Sequence, residues 1–508
     1  MLEEQSTTKQ GAAAALVDRT RFTSPDSVEY IWRHLNLPSH ALRSLNLVGE
    51  QKGPVIPSSF KIGHLAQCTI SLSALAAALI HATRNKLSAV PRVTVPLQHA
   101  VAEFKSERLH TLDGKPPASP WGTVGGLHRT ADGYVRIHDS FPNHEVAVLD
   151  VLGLEHTASR EDVASAASKW KSLDLETEGI RIGAALAALR SYQEWDSHPQ
   201  SSAIHDFPIL IRGLAAGSRS SSQEAPLARF LPAGNDRCLR GLRVLEFSRV
   251  IAAPVAGRAL AAHGADVLWV TSPTLPDQPS LDRDMSRGKR TIRLDFRSSA
   301  EDKARLLDLV RDADVVIQSF RPGSLAAYGL GPNDLAAINP NLIYASLSAY
   351  GSSGPWAGRR GFDSLVQTCS GMNVSEAEHF GNEREPARPM PCQALDQGAG
   401  YFLATGIMAA LYRRLMHDGG QRGYEVEVSL AGVMRYLRSL GQYPGNMGFQ
   451  PSSAPGGADY DEDLFESRMT VFGELRAVRH SARVEGAMPG WDVMPKPLGS
   501  DRPEWLGL

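Results

Sequence analysis

Strand, turn, helix and strand succeed one another in GLRVLEFSRVIAAPVAGRALAAHGADVLWV, the stretch around which the chain is arranged. Residues 242–247 are a short apolar run rich in β-formers, as a buried strand requires. Ser248 offers a hydroxyl where a helix can begin. Pro254 suits a first helical turn, where its missing N–H costs nothing. Val255, Leu260 and Ala261 face inward, Gly264 ends the helix, and residues 265–270 return to strand. A strand–helix–strand unit implies an α/β fold with a parallel sheet covered by helices on both faces. It begins nearly halfway along the chain, so the first half is something else.

The pattern on either side fills in the picture. Residues 26–35 carry Val28, Ile31 and Trp32 on one helical face, capped by Ser24 or Asp26. Residues 70–82 (ISLSALAAALIHA) are apolar nearly all round, which predicts a buried helix. Then come a strand (92–97), a helix (99–108), a loop by composition (113–122) and an alternating strand (134–137). Residues 144–197 read as helices with Trp170, Leu173 and Leu186 in the core, and 209–214 as a strand. Beyond the central unit, strands are predicted at 288–295, 314–317, 342–346 and 425–430, helices at 301–311, 399–414 and 433–440, and a polar loop at 375–391. Ligands of such sheets sit at the carboxyl ends of the strands, so Arg249, Arg321 and the loop 351–358 converge on one crevice. One repeat is visible. LSALAAALIHATR…RVTVPLQHAVAEF and LATGIMAALYRRL…EVEVSLAGVMRYL both read as buried helix, loop, strand, helix, and an ungapped match around the helices sets Asp396 opposite His64.

Composition narrows the function classes. The 508 residues suffice for two or more domains. Lys and Arg number 53 against 55 Asp and Glu, a net charge of −2 that gives no reason to expect nucleic acid or a membrane surface. No apolar run has the length of a membrane span, and MLEEQSTTKQ lacks the apolar core of a signal peptide. The four cysteines have no CxxC pair, which fits a reducing, cytoplasmic setting without disulfides or structural zinc.

For chemistry, Asp396 is the sharpest candidate. It stands at the mouth of an apolar helix beside Gly398 and Gly400, which would let a ligand approach the backbone. A carboxylate there can act as a nucleophile or cap the helix from Ala399, and composition and spacing alone favour the cap. Arg249, Arg287, Lys289, Arg290, Arg321, Arg359 and Arg360 recur at strand ends and turns, where such groups hold phosphates. Neither GxGxxG nor GxxxxGK[ST] occurs, so a dinucleotide fingerprint and a P-loop are both missing. His263, His379 and His417 are scattered and read as surface residues. No metal site is expected.

The central stretch, with RGKRTIRLD, ADVVIQSFRPG, NPNLIYASLSAYGSSGP, GFDSLVQTCSG and ALDQGAGYFLATGIMAALYRR, resembles in that order the class III CoA-transferase family. This is the CaiB/BaiF-type group of formyl-CoA transferase, the carnitine CoA-transferase type and α-methylacyl-CoA racemase. RTADGYVRIHDSFPNHEVAVLDVLG is similar to the family's small domain, and ELRAVRHSARVEGAMPGWDVMPKPLGSDRPEW to the end of a family member. The resemblance implies a Rossmann-like large domain, a smaller α+β domain, and an interlocked dimer or, through the repeat, a pseudo-dimer within one chain. Together with composition, which marks a disordered tail (1–24), a linker (217–237) and a flexible loop (444–468), it gives this division: a partial degenerate copy (25–112), the small domain (113–216), the CoA-binding domain (238–443) and an extended tail (469–508).

By motif, Asp396 is the residue that becomes acylated, and Val250–Ala252 (Val250, Ile251, Ala252) with Arg249, Ser286–Lys289 (Arg287 and Lys289 among them), Ser319, Phe320, Arg321 and Arg360 lie along the CoA path. The implied substrates are an acyl-CoA and a small carboxylic acid, with CoA thioester as substrate and no permanently bound cofactor. Racemases of the group carry His before the Asp of GFDSL, where this chain has Phe362. Racemisation needs two proton-transfer groups, so transferase is preferred to racemase, with a non-catalytic CoA-binding scaffold as the third reading. Thr271–Ser272 and Ser319–Phe320 differ from the family pattern, and residues 372–391 hold no match to its glycine-rich covering loop.

Overall fold

The computed structural model describes residues 16–49, 53–214, 236–417, 422–450 and 460–507. The predicted linker lies almost wholly outside them, as do the first 15 residues of the predicted tail and the middle of the predicted 444–468 loop.

The predicted strand–helix–strand unit forms as Arg243–Phe247, Ala252–Ala262 and Asp266–Thr271. It seeds a seven-stranded sheet that runs, edge to edge, Arg290–Arg293, Asp266–Thr271, Arg243–Phe247, Val315–Gln318, Ile343–Ser348, Tyr424–Ser429 and Leu210–Gly213. The first six strands are parallel, with Arg243 opposite Asp266 and Val315 opposite Val244. The seventh is antiparallel, pairs Tyr424 with Gly213, and comes from the first half of the chain. Strand order reverses beside Arg243–Phe247, which opens a crevice at its carboxyl end.

One face of the sheet is covered by Ala252–Ala262 and by the 23-residue helix Ala394–Met416, on which a second helix of 23 residues, Ile62–Arg84, packs in turn. Both are apolar on every side because both are enclosed. Ile62–Arg84 is long and apolar enough to cross a membrane by length and composition, contrary to the reading of the sequence, but its most apolar window is wholly buried. The glycines of the Asp396 segment serve this packing rather than a ligand. A Cβ on Gly400 would stand 2.5 Å from the Ala252 carbonyl oxygen, and one on Gly398 3.1 Å from Leu65 and Val433.

Each long helix is followed by a strand and a helix, Val93–Pro96 with Leu97–Glu103 and Tyr424–Ser429 with Leu430–Ser439. Only the second strand joins the main sheet. Val93–Pro96 pairs with Leu45–Val48 and with Arg483–Val484 near the carboxyl end. The carboxyl-terminal segment is thereby tied to the first half, and Glu103 reinforces the tie by accepting from Ser481 N (2.8 Å) and Tyr401 Oη (2.6 Å). The strands Gly126–Arg129, Tyr134–Ile137 and Leu186–Ala188 form a separate small antiparallel sheet under helices.

Local differences have local causes. Residues 372–380 form a helix, Met372–Phe380, instead of a polar loop, because Asn373, Ser375 and Glu376 are buried against the core and hydrogen-bonded. Ser248 does not cap the following helix; its hydroxyl donates to Glu246 (2.5 Å), and the helix starts without a side-chain cap. Leu173 is 56% exposed, whereas His263 is fully buried against the His480 ring, 5.3 Å away.

Candidate active site

Asp396 is the third residue of its helix, inside the first turn. The capping duty that its composition suggests is performed by another residue. Asp363, first residue of the helix Asp363–Cys369, accepts at Oδ2 from Leu395 N (2.8 Å) and Asp396 N (3.0 Å), and Gln367 Nε2 donates to its other oxygen. Two orphan N–H groups of the long helix are thus satisfied by a neighbouring carboxylate. The Asp396 carboxyl itself has no hydrogen-bond partner among the described residues and opens into a cavity of about 250 Å³.

A third carboxyl meets it there. Glu107, from the short helix Ser106–Leu109, lines the same cavity; its Oε2 accepts from Gln397 Nε2 (3.1 Å), and its Oε1 lies 3.6 Å from Arg108 Nε. Burial raises the pKa of Asp396 well above the usual carboxylate range, and the negative charges of Asp363 and Glu107 add to it. Burial likewise pushes Glu107 up to about 7 and Asp363 to about 6. Three carboxyls so close cannot all ionise readily, so they titrate as one set.

The roof of this cavity is residues 116–121 of the first half, with Trp121 its largest side chain. His138 also lines it, stacked face to face on Phe362 at 3.7 Å and edge-on to Trp121 at 5.3 Å. It is 3% exposed, its Nδ1 has no partner, and burial lowers its pKa well below the usual imidazole value, which keeps the ring neutral.

Val250 and Phe362 border both this cavity and a larger one of about 810 Å³ at the carboxyl ends of the parallel strands. Val250 has φ of 72°, a conformation costly for a β-branched residue and typical of places where the chain is held for function. The larger cavity is lined by Arg249, Arg321, Arg360 and Arg297 and by the rings of Trp269, Phe296 and Tyr328. Burial lowers the pKa of Arg360, and the charge of Arg321 lowers it further. Cations crowded against each other and beside aromatic faces are suited to an anionic, ring-bearing ligand such as a nucleotide.

The structure brings together most, not all, of the residues singled out from the sequence. Arg249, Val250, Ser319, Phe320, Arg321 and Arg360 line the large cavity, and Ile251 lines the small one with Asp396. Ala252 begins the adjoining helix. The loop at Gly351 instead borders a separate cavity of about 230 Å³, which shares Arg321 with the large one.

Arg287 and Lys289 line neither the Asp396 cavity nor the 810 Å³ one, and the reason is a charged partner underneath each. Arg287 is fully buried, bonded to Asp284 (3.0 Å from Nε) and stacked on Trp491 at 4.0 Å. Lys289 Nζ is 2.8 Å from Glu246 and 2.8 Å from the Pro254 carbonyl, and burial lowers its pKa to about 8. Gly257 makes room for that pair, since a Cβ there would overlap the Glu246 carboxyl. Sequence reasoning missed Arg297 of the large cavity, and also Glu107, His138 and residues 116–121, all more than 240 positions from Asp396; His138 lies within the quoted segment RTADGYVRIHDSF, but nothing local gave it a role.

His64, at the matching third position of the other long helix, lines neither of the two site cavities. Its Nε2 is 2.7 Å from Ser27 Oγ on the helix Ser24–His34, and burial lowers its pKa to about 4.

Residues 239–461 match the model of CoA-transferase family III. The chain is 38% identical over 189 residues to the "Probable fatty acyl-CoA transferase" of Mycobacterium tuberculosis, covering 35% of this chain and 47% of that one. It is 36% identical over 201 residues to the succinate–glutarate CoA-transferase of Agrobacterium fabrum, covering 36% and 49%. A crystal structure of a CaiB/BaiF family protein from Brucella suis aligns at 30% identity over 46% of this chain and 64% of that one, with a TM-score of 0.34. The chain spans about half the length of the relatives it matches.

Proposed function

We propose that this chain is a CoA-transferase that moves CoA from an acyl-CoA donor to a carboxylic acid acceptor, with Asp396 as the nucleophile. The observation that carries the proposal is the division of labour at the helix start. Asp363 satisfies the backbone N–H groups, which leaves the Asp396 carboxyl unbonded at the wall of a cavity that adjoins the arginine-lined one.

In this reading the large cavity holds the nucleotide end of CoA, with Arg249, Arg321 and Arg360 on its phosphates, and the thioester passes Val250 and Phe362 into the small one. An Asp396 oxygen attacks the thioester carbonyl carbon; the C–S bond breaks, and CoA leaves as the thiolate from a mixed anhydride. The thiolate then attacks the Asp396 carbonyl carbon, releasing the donor acid as its carboxylate and leaving an aspartyl-CoA thioester. The acceptor carboxylate displaces the thiolate from that thioester, and the thiolate attacks the new anhydride at the acceptor carbonyl. Acceptor-CoA leaves and the Asp396 carboxylate returns. Splitting one exchange into four acyl transfers is the gain from a covalent carboxylate. Residues 116–121 cover the cavity, and keeping water from an anhydride is what such a roof would contribute.

The test is intact-protein mass after incubation with acyl-CoA donors and hydroxylamine, which traps an activated carboxyl as its hydroxamate. The expected result is one hydroxamate per chain, located at residue 396 and missing from Asp396→Ala. No adduct with any donor, in protein that still binds CoA, rejects the nucleophile. One observation favours a second reading, racemisation at the carbon next to the thioester. Phe362 replaces the histidine of racemases, but His138 lies on that ring in the same cavity. Exchange of the α-hydrogen with deuterated solvent, lost in His138→Ala, would select this reading.

A further inference from the structure

We infer that the acyl group taken by this site is short, apolar and uncharged at its far end, a small aliphatic or single-ring monocarboxylate rather than a dicarboxylate. The inference rests on the CoA-transferase reading and narrows it.

A second carboxylate on the acyl chain would need a cation to receive it, because burying an unpaired charge is expensive. The ionisable groups along the 250 Å³ cavity are Asp396, Glu107, Arg108 and His138. Two are acids, with the carboxyl of Asp363 directly behind Asp396. His138 is held neutral by burial. Arg108, the one cation, lies against Glu107 at 3.6 Å with its side chain 48% exposed to solvent. An anionic tail would therefore enter a wall richer in carboxyls than in cations.

Four neutral polar side chains, Ser119, Ser140, Ser280 and Gln393, also border the cavity, and the rest of its surface suits hydrocarbon. Ile251, Leu281, Trp121 and Phe362 contribute apolar faces, and Pro116, Pro117 and Pro120 add rigid apolar rings without N–H donors. Size sets the other limit. An apolar cavity of about 150 Å³ accepts benzene, and pockets for drug-sized molecules run from about 300 Å³ upward. A cavity of about 250 Å³ falls between. It admits one ring or a short branched chain together with the reacting carbonyl.

The experiment measures binding apart from turnover. Asp396→Asn protein is titrated calorimetrically with CoA, hexanoyl-CoA, benzoyl-CoA, succinyl-CoA and glutaryl-CoA, while the hydroxylamine assay is run on wild type with the same donors. Hexanoyl-CoA and benzoyl-CoA should bind at least about tenfold more tightly than CoA, from burial of two or more carbons' worth of apolar surface, and the two dicarboxylic thioesters no more tightly than CoA. Ser280→Arg, which adds a cation on a half-buried position of the same wall, should improve glutaryl-CoA relative to hexanoyl-CoA at least about tenfold.

Succinyl-CoA or glutaryl-CoA binding as tightly as hexanoyl-CoA, or all thioesters binding like CoA, overturns the inference and leaves the transferase reading standing. The preference for apolar thioesters without any hydroxamate in wild type upholds the inference and overturns Asp396 as nucleophile. No binding of CoA or of any thioester overturns both.

Discussion

The two long helices, Ile62–Arg84 and Ala394–Met416, are alike in length, apolar character and burial, and each is followed by a strand and a helix. They differ at the third residue. His64 is closed off by Ser27 of the helix in front of it, 2.7 Å away. Asp396 faces open space, because Asp363 has taken over the backbone and residues 116–121 arch over the gap. A similar scaffold thus gives a sealed helix start in one half and an open one in the other, and the difference lies in what packs in front. The comparison also explains the mixed parentage of the cavity. Its roof, Glu107 and His138 come from the first half of the chain, and Asp396, Phe362 and Val250 from the second.

The strongest way to break this comparison is to remove each third residue in turn. Asp396→Ala should cut CoA transfer by at least about 10⁴-fold, the order seen when a covalent nucleophile is deleted, whereas His64→Ala should leave turnover within about threefold of wild type. Equal losses from the two, measured as initial rates on folded protein, would end the claim that only one copy is active.

Next in size is the joint between the halves. Glu176, on the helix Ser172–Ile182, holds Arg190 at 2.5 Å and Arg359, just before the helix Asp363–Cys369, at 2.8 Å, all nearly buried. Burial alone would raise the Glu176 pKa, but the two guanidiniums outweigh it and bring it to about 2. Glu176→Gln leaves two buried cations with only a neutral amide oxygen and the Ala188 and Leu186 carbonyls as acceptors, and should cost about 3–5 kcal/mol in chemical denaturation. The sign with pH follows from the lowered value. The stabilisation is present above the unfolded carboxyl pKa of about 4.3 and is lost as pH falls toward 2. A Glu176→Gln protein should therefore lose less stability on acidification than wild type.

A sharper version makes the two helices more alike. His64→Asp puts a carboxyl at the sealed position, beside the Ser27 hydroxyl and within reach of the charges of Lys61 and Asp26. It should destabilise the fold by about 1–3 kcal/mol without creating a second hydroxamate. A second adduct per chain would show that the residue, and not the packing in front of it, makes the site.

The smallest effect concerns the charge set. Asp396 must be ionised to attack, and Glu107 is among the groups that oppose its ionisation. Glu107→Gln removes that charge, so the acidic limb of the kcat/KM profile should move to lower pH by about one unit or less. A profile that stays in place would exclude Glu107 from the set.

Much of this was legible along the chain. The strand–helix–strand unit, the apolar character of both long helices and the six ordered motifs of the second half all depend on residues close in sequence, where spacing fixes which side chains share a face. Asp396 also stood out, but its role did not. An Asp near a helix start reads as a cap until Asp363 is seen to fill that role from 33 positions away. Arg287 and Lys289 illustrate the opposite error. Two basic residues at a strand start look like phosphate ligands until Asp284 and Glu246 are found beneath them.

The sequence by itself determined most of the elements, the parallel sheet, the nucleophile candidate and three arginines of the large cavity, Arg249, Arg321 and Arg360 but not Arg297, because periodicity, turn residues and motifs are local. The tertiary structure alone decided which carboxyl caps and which is free, that His138, just past the strand Tyr134–Ile137, lies on Phe362, and that one helix start is covered while the other opens. Those outcomes depend on which distant segments meet, and on the low polarity they create where they meet, and no spacing along the chain encodes either.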